Sequence, residues 1–363
     1  MLMNTRKLIT QALLLIPVFL LLVLQSCKHN DLEIEKENEN FRLATDFIKN
    51  NYDMTLFYAA VEKVGLTDKL KENGPFTLLV PNDAAFRELG INRPSDFSKI
   101  NQDSLKSLVE RHILTRRLLF SDMPHNGVDV RYATLAGTEV YASMAGYAPG
   151  GEAFAVNDLY FNGSPVTRKD VPLANGTLHM LNKVMKYTPV MTIQAWLAAR
   201  PKYSIFVAGL KKFGFWDQLA TAGPFTVFAP ENEGLKAEGI TEASIAEMDV
   251  QKYRGTRLFG SYILPKTHFF LSDFEVFKVN NSQEFLARKI DNDTWFSFVS
   301  ITKNFFTKVI TGGVNLRTAP SYPNEVYGSA GADVPALSDH LFDNGVLHEV
   351  KGVLLRPEQA LKN

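Results

Sequence analysis

Gly74-Pro75-Phe76-Thr77-Leu78-Leu79-Val80-Pro81 is the stretch on which the reading of this chain turns, because it returns 149 residues later as Gly223-Pro224-Phe225-Thr226-Val227-Phe228-Ala229-Pro230. That interval is about the size of one ordinary domain. A second landmark, Asn175-Gly176-Thr177-Leu178-His179, returns 169 residues on as Asn344-Gly345-Val346-Leu347-His348. Two landmarks in the same order in both halves predict tandem copies of one fold. Phe76–Val80 and Phe225–Ala229 are short apolar runs rich in aromatic and β-branched residues, the pattern of a buried strand. Pro81 and Pro230 end these strands, and Asn82 with Asp83 supplies oxygens to cap a helix carrying Ala84, Ala85 and Phe86.

Around these strands the apolar spacing is helical. Leu56, Phe57, Ala60, Val61 and Val64 lie on one face, and Ile205, Phe206, Gly209, Leu210 and Phe213 repeat it 149 residues later. Gly65 and Gly214 follow as C-terminal caps. Leu105, Leu108, Val109 and His112 form another face, answered by Tyr253, Leu258 and Tyr262. Strand-like runs are expected at Ala133–Tyr141, Val156–Asn162, Leu178–Met185, Val276–Asn280, Trp295–Ile301, Val309–Leu316 and Leu347–Leu355. The second copy is the longer. Its excess is expected as a Gly- and Pro-rich loop from Gly312 to Pro335, where Tyr322 and Tyr327 are candidates to meet a partner or stack on a sugar. Ala145–Val156 is a similar loop in the first copy.

The chain has 363 residues, 45% of them hydrophobic and 21% charged, with formal charge zero, so neither wholesale disorder nor nucleic acid as a partner is implied. Cys27 is the sole cysteine, which excludes an intrachain disulfide. Arg6 and Lys7 precede an apolar run from Leu8 to Leu24, the form of a secretory signal over residues 1–26. Leu24-Gln25-Ser26-Cys27 is similar to a bacterial lipobox, which implies acylation of Cys27 (palmitate among the acyl chains) and a membrane anchor. A plain transmembrane anchor is the alternative. Residues 27–40 read as an acidic, flexible tether. Acidic residues close behind a lipidated cysteine also resemble an export tag of surface lipoproteins, so a Gram-negative outer membrane is the expected address, surface-exposed or otherwise periplasmic.

Phe76 to Phe86 resembles the first signature of fasciclin domains, and Asn175-Gly176-Thr177-Leu178-His179 with Val184 resembles the second. His112-Ile113-Leu114 resembles the end of the central helix between them. The resemblance covers residues 41–189 and 190–357, leaving a tail at 358–363. In the second copy Glu231-Asn232-Glu233-Gly234-Leu235 departs from the signature, and Tyr262 stands where the first copy has His112. The resemblance implies an α+β architecture of two β-wedge domains with packed helices. It also implies adhesion or binding of an extracellular protein or matrix component, without enzyme activity or cofactor. The exposed end near His112 and its counterpart Tyr262 join Tyr322 and Tyr327 as candidate partner contacts. A glycan-binding accessory role in an outer-membrane nutrient-uptake system is the alternative.

The chemistry-bearing residues support no catalytic reading. His179 and His348 recur at matched positions and are read as structural, each ring bonding backbone to hold a strand to a loop. No metal is implied, because zinc needs three or four convergent ligands and neither HExxH nor paired cysteines occur. No GxSxG elbow or phosphate-cradling glycine loop is present. Asp103-Ser104-Leu105 resembles a bacterial O-glycosylation acceptor, and Asp-Ser equally reads as a helix cap.

Overall fold

The computed structural model describes residues 41–146, 158–188, 190–280, 287–304, 306–320 and 324–362. The signal segment, Cys27, the tether, Tyr322 and most of the loop from Ala145 to Val156 lie outside the described residues. From Arg42 onward both copies pack into one unit.

The strands of the first copy are β1 (Phe76–Pro81), β2 (Ile113–Leu114), β3 (Val130–Ala133), β4 (Glu139–Ala145), β5 (Asp158–Phe161), β6 (Ser164–Leu173) and β7 (Gly176–Leu181). A short β8 (Tyr187–Thr188) leads into the second copy. There follow β9 (Phe225–Pro230), β10 (Ile263–Pro265), β11 (Ala287–Asp291), β12 (Thr294–Lys303), β13 (Ile310–Arg317), β14 (Val326–Ala332), β15 (His340–Phe342) and β16 (Gly345–Val353). The first sheet runs β2-β1-β7-β6-β5-β4-β3, and the second runs β10-β9-β16-β14-β13-β12-β11. Both curl into wedges with helices packed against them, a mixed α+β fold repeated in tandem.

The two sequence landmarks meet at the centre of each sheet. β1 runs parallel to β7 with Phe76 opposite Gly176. β9 runs parallel to β16 with Phe225 opposite Gly345. Every residue of β1 and of β9 is buried, the expected state of a strand flanked on both sides and covered by helices. The helix Thr55–Lys63 buries Leu56, Phe57, Ala60 and Val61. Its counterpart Ser204–Lys212 buries Ile205, Phe206, Gly209 and Leu210. Each fully buried Leu, Ile or Phe of this kind contributes about 1.5–3 kcal/mol. In the second helix Gly209 is there for space: a Cβ would sit 2.1 Å from the Phe259 ring.

Four local expectations are corrected. Val276–Asn280 is not a strand but part of the helix Asp273–Val279. Its buried positions are Asp273, Val276 and Phe277, a helical spacing that a five-residue window cannot separate from a strand. Ala133–Tyr141 is not one strand but the tip of a β3–β4 hairpin, closed by the Thr134 N–H donating to the Thr138 carbonyl at 2.8 Å. The stretch Gly312–Pro335 is largely not a loop. It forms the paired strands β13 and β14, and Gly328 lets β14 approach β16, where a Cβ would fall 2.6 Å from the Val353 carbonyl oxygen. Asn101, rather than Asp103 or Ser104, caps the helix Gln102–Arg111, accepting from the N–H groups of both.

Candidate functional site: paired motifs and the seam between copies

The polar residues of the second landmark do the same work in each copy. Asn175 Oδ1 accepts from the Ala44 N–H at 2.9 Å, and its Nδ2 donates to the carbonyls of Leu70 and Glu72 at 2.9 and 2.7 Å. Asn344 repeats the pattern with the Ile193 N–H at 3.0 Å and the carbonyls of Leu219 and Thr221 at 2.8 and 2.9 Å. Each asparagine thereby ties the start of its copy's helical layer to the sheet, satisfying three backbone groups with one buried amide.

The histidines are equally matched. His179 Nδ1 accepts from the Asp170 N–H at 3.3 Å, so its Nε2 carries the proton and donates to the Leu118 carbonyl at 2.8 Å. His348 Nδ1 accepts from the Asp339 N–H at 3.1 Å and its Nε2 donates to the Phe269 carbonyl at 3.0 Å. Burial lowers the pKa of both rings, to about 4 for His348, so they stay neutral at physiological pH. Both aspartates adopt a left-handed backbone, φ 52° at Asp170 and 58° at Asp339. Each also turns its carboxylate on a neighbouring loop, accepting from Phe120 N–H and Leu271 N–H respectively, both at 2.8 Å.

His112 and Tyr262, proposed from the sequence as exposed partner contacts, are instead core residues. His112 is fully buried; its Nδ1 donates to the Leu108 carbonyl at 2.8 Å and its Nε2 accepts from the Met185 N–H at 3.2 Å. Burial lowers its pKa to about 4. Tyr262 is equally enclosed, and its hydroxyl oxygen accepts from the Leu354 N–H at 2.8 Å. Both side chains hold the strand after their helix to the chain's return path, so neither ring offers a surface to a partner. Tyr327 is half-buried, its ring packed on the second copy's core. Pro81 and Pro230 close their strands. Asn82 accepts from the Ala85 N–H at 2.9 Å as the cap of the helix Asp83–Arg87.

What the motifs did not reveal is the seam between the copies. β8 pairs parallel with β15, Tyr187 opposite Leu341 and Thr188 opposite Phe342. Lys183 Nζ and Asp339 Oδ2 form an ion pair at 2.5 Å, with side chains only 6% and 2% exposed. Burial pushes the Asp339 carboxyl up, but Lys183, His348 and the Leu271 N–H outweigh it and hold the pKa below its ordinary value. Gly163 leaves room for that carboxylate, since a Cβ there would sit 2.5 Å from Asp339 Cγ. Lys186 Nζ donates to the Ala336 carbonyl at 2.6 Å, and burial, with the Lys183 charge beside it, lowers its pKa to about 7. Asp273 accepts from the Phe270 N–H at 2.9 Å and from the Ser143 hydroxyl across the seam. Burial raises its carboxyl to about 7 against those bonds, with Asp339 and Asp129 adding to the rise. Lys303 Nζ reaches Asp158 at 2.7 Å, and Thr188 Oγ1 lies 2.9 Å from His340 Nε2. One signal for this site was present in the sequence: an aspartate stands nine residues before the landmark histidine in both copies.

Among the described residues no group of three or more His, Cys, Asp or Glu side chains is arranged to hold a metal ion, and no helix is long and apolar enough to cross a membrane.

Residues 52–187 and 201–310 match the family profile of the fasciclin domain. That is most of the chain, and the protein belongs to the fasciclin-domain family. Among curated relatives, human periostin is 24% identical over 200 residues, which are 54% of this chain and 22% of that protein. Pig transforming growth factor-beta-induced protein ig-h3 is 27% identical over 182 residues, 49% of this chain and 24% of that one. The match thus spans under a quarter of these relatives' length. A solved FAS1 domain pair from the insect cell adhesion molecule Fasciclin I aligns over 84% of this chain and 97% of its own, with 18% identity and a TM-score of 0.35.

Proposed function

We propose that the protein is a non-enzymatic cell-envelope lipoprotein, held to the membrane through Cys27, whose tandem fasciclin copies mediate adhesion by binding an extracellular protein or matrix component. Membership of the fasciclin-domain family is the observation that carries this reading. The use of the shared polar residues supports it. Asn175, Asn344, His179 and His348 are buried with their polar side-chain atoms engaged by backbone, so the duplicated landmarks build a scaffold, and recognition falls to the outer surfaces. Each buried acyl methylene contributes about 0.8 kcal/mol, so several acyl chains together would make a lasting anchor.

The anchor is tested by labelling cells with a palmitate analogue. Wild type incorporates it and Cys27→Ala does not; equal incorporation overturns the anchor. Protease shaving of intact cells separates a surface address from a periplasmic one. Adhesion is tested by binding of the mature chain to immobilised matrix proteins and to a glycan array. Selective binding to protein supports the proposal. Selective glycan binding lost in Tyr322→Ala with Tyr327→Ala replaces it with glycan capture.

A further inference from the structure

The two copies finish their sheets differently. In the first, β2 and β3 are the outermost strands, and the Leu135 N–H just beyond β3 donates to the Ile113 carbonyl of β2 at 2.7 Å. That bond draws the two ends of the sheet together. In the second copy β10 and β11 take those places, and among the described residues no backbone hydrogen bond joins them. The Arg288 side chain of β11 crosses instead. Its Nη1 donates to Thr267 Oγ1 at 2.6 Å and its Nη2 to the Pro265 carbonyl at 3.2 Å. Between the strands lies a groove of about 290 Å³, lined by residues 263–265 and 288–290 with Phe215, Gln218 and Thr256. Phe215, Arg288 and Ile290 are partly exposed, and Thr256 and Lys289 are exposed.

Among the described residues β11 pairs on one side only, with β12. Alternate residues of such an edge turn N–H and C=O groups outward, a template for one more strand. The side chains select which strand that is. Arg288 stands opposite Phe296 and Lys289 opposite Trp295, so the two cations lie on opposite faces of the edge. Ile290 follows at a bulge and, like Phe215, packs against the second copy's core. No carboxylate side chain lines the groove. We propose that this groove docks an extended acidic segment of a partner polypeptide, which adds to Ala287–Lys289 as a strand. One acid of the segment meets Arg288, its neighbour meets Lys289 on the other face, and an aliphatic residue beside them rests on Phe215 and Ile290. Main-chain bonds supply the affinity and the side chains the choice. Like charges directly across a strand pair oppose it, so a basic segment is rejected. The nature of the occupant rests on the adhesion reading, and the experiment separates the two.

The test uses the mature protein and a fluorescein-labelled, end-blocked peptide of sequence TVEEVTV, read by anisotropy and by backbone hydrogen exchange at residues 287–289. TVEEVTV binds and slows exchange there. TVKKVTV binds at least about tenfold more weakly, and fully N-methylated TVEEVTV, which keeps its charges but donates no backbone hydrogen bond, does not bind. Lys289→Glu, at an exposed position, weakens TVEEVTV about threefold or more. Arg288→Glu with Lys289→Glu reverses the preference and takes TVKKVTV over TVEEVTV, a gain that an unfolded variant cannot show. The proposal is overturned if TVEEVTV at ~1 mM leaves the anisotropy unchanged, or if TVKKVTV or the N-methylated form binds as well. It is equally overturned if the protection falls outside residues 287–289 or the double variant does not swap the preference. A dimer in sedimentation that Lys289→Glu dissociates makes a second copy the occupant and overturns it too. Matrix-protein binding that survives the double variant sinks the groove and leaves the adhesion reading. Wild type that takes TVEEVTV but no matrix protein supports the groove and sinks the adhesion reading.

Discussion

β6 of the first copy runs unbroken from Ser164 to Leu173, whereas the corresponding stretch of the second copy is divided between β14 and β15. The Asp-to-His clasp survives in both, with the same backbone bond and the same left-handed aspartate. What differs is the far side of the aspartate. The Asp170 side chain is 39% exposed, while that of Asp339 is 2% exposed against Lys183. Where the strand divides, β15 has a free edge, and β8 fills it. Tandem copies therefore diverge without altering the residues that define them. A duplicated turn keeps its internal bonds, and its outer face is either left in water or given to the neighbouring copy.

The sharpest way to break this comparison is Lys183→Met. It leaves Asp339 buried without its counter-charge and should cost about 3–5 kcal/mol in denaturant unfolding. Lys183→Met with Asp339→Asn should recover most of that, because an asparagine oxygen can still accept from the Leu271 N–H. If the single variant unfolds like wild type, the seam is not held by this pair.

Asn175→Ala and Asn344→Ala probe what the copies share. Each strands two buried backbone groups and a third that is part-buried, so each should cost about 2–4 kcal/mol. The two losses should agree within about 1 kcal/mol. A large inequality would mean that only one landmark asparagine still holds its copy together.

The smallest effect is in the pH dependence. His112, His340 and His348 have pKa values lowered from 6.5 to about 4, about 3 and about 4 by burial. The unfolded chain therefore binds more protons than the native one below pH 6.5, and stability falls on acidification. Asp273 has the opposite sign. Its pKa is raised from 3.8 to about 7, so its contribution is full below pH 3.8 and is lost as pH rises through 7. Asp273→Asn removes that opposition, and stability should then fall more steeply between pH 6.5 and 4, by up to about 1.4 kcal/mol per pH unit. An unchanged slope would show that Asp273 is ionised in the native state.

The central strands were legible because Phe76–Val80 and Phe225–Ala229 are apolar on both faces and bounded by Gly-Pro and Pro. Such local patterns need no partner to be read. The helix Asp273–Val279 was misread because so short a segment takes its form from what it packs against. His112 and Tyr262 were placed on the surface because a histidine or tyrosine at a helix end is sterically free to face either way. Burial was decided by the Met185 and Leu354 N–H groups, more than seventy residues away along the chain.

By itself the sequence determined that the chain is a duplication and which residues carry each copy's turn, strand and clasp. These rest on local sterics and periodicity, and they repeat wherever the residues repeat. Only the tertiary structure decided that Asp339 faces Lys183 while Asp170 faces water, and that β8 fills the free edge of β15. Both depend on which distant segment arrives beside a side chain, and no spacing within one copy encodes the approach of the other.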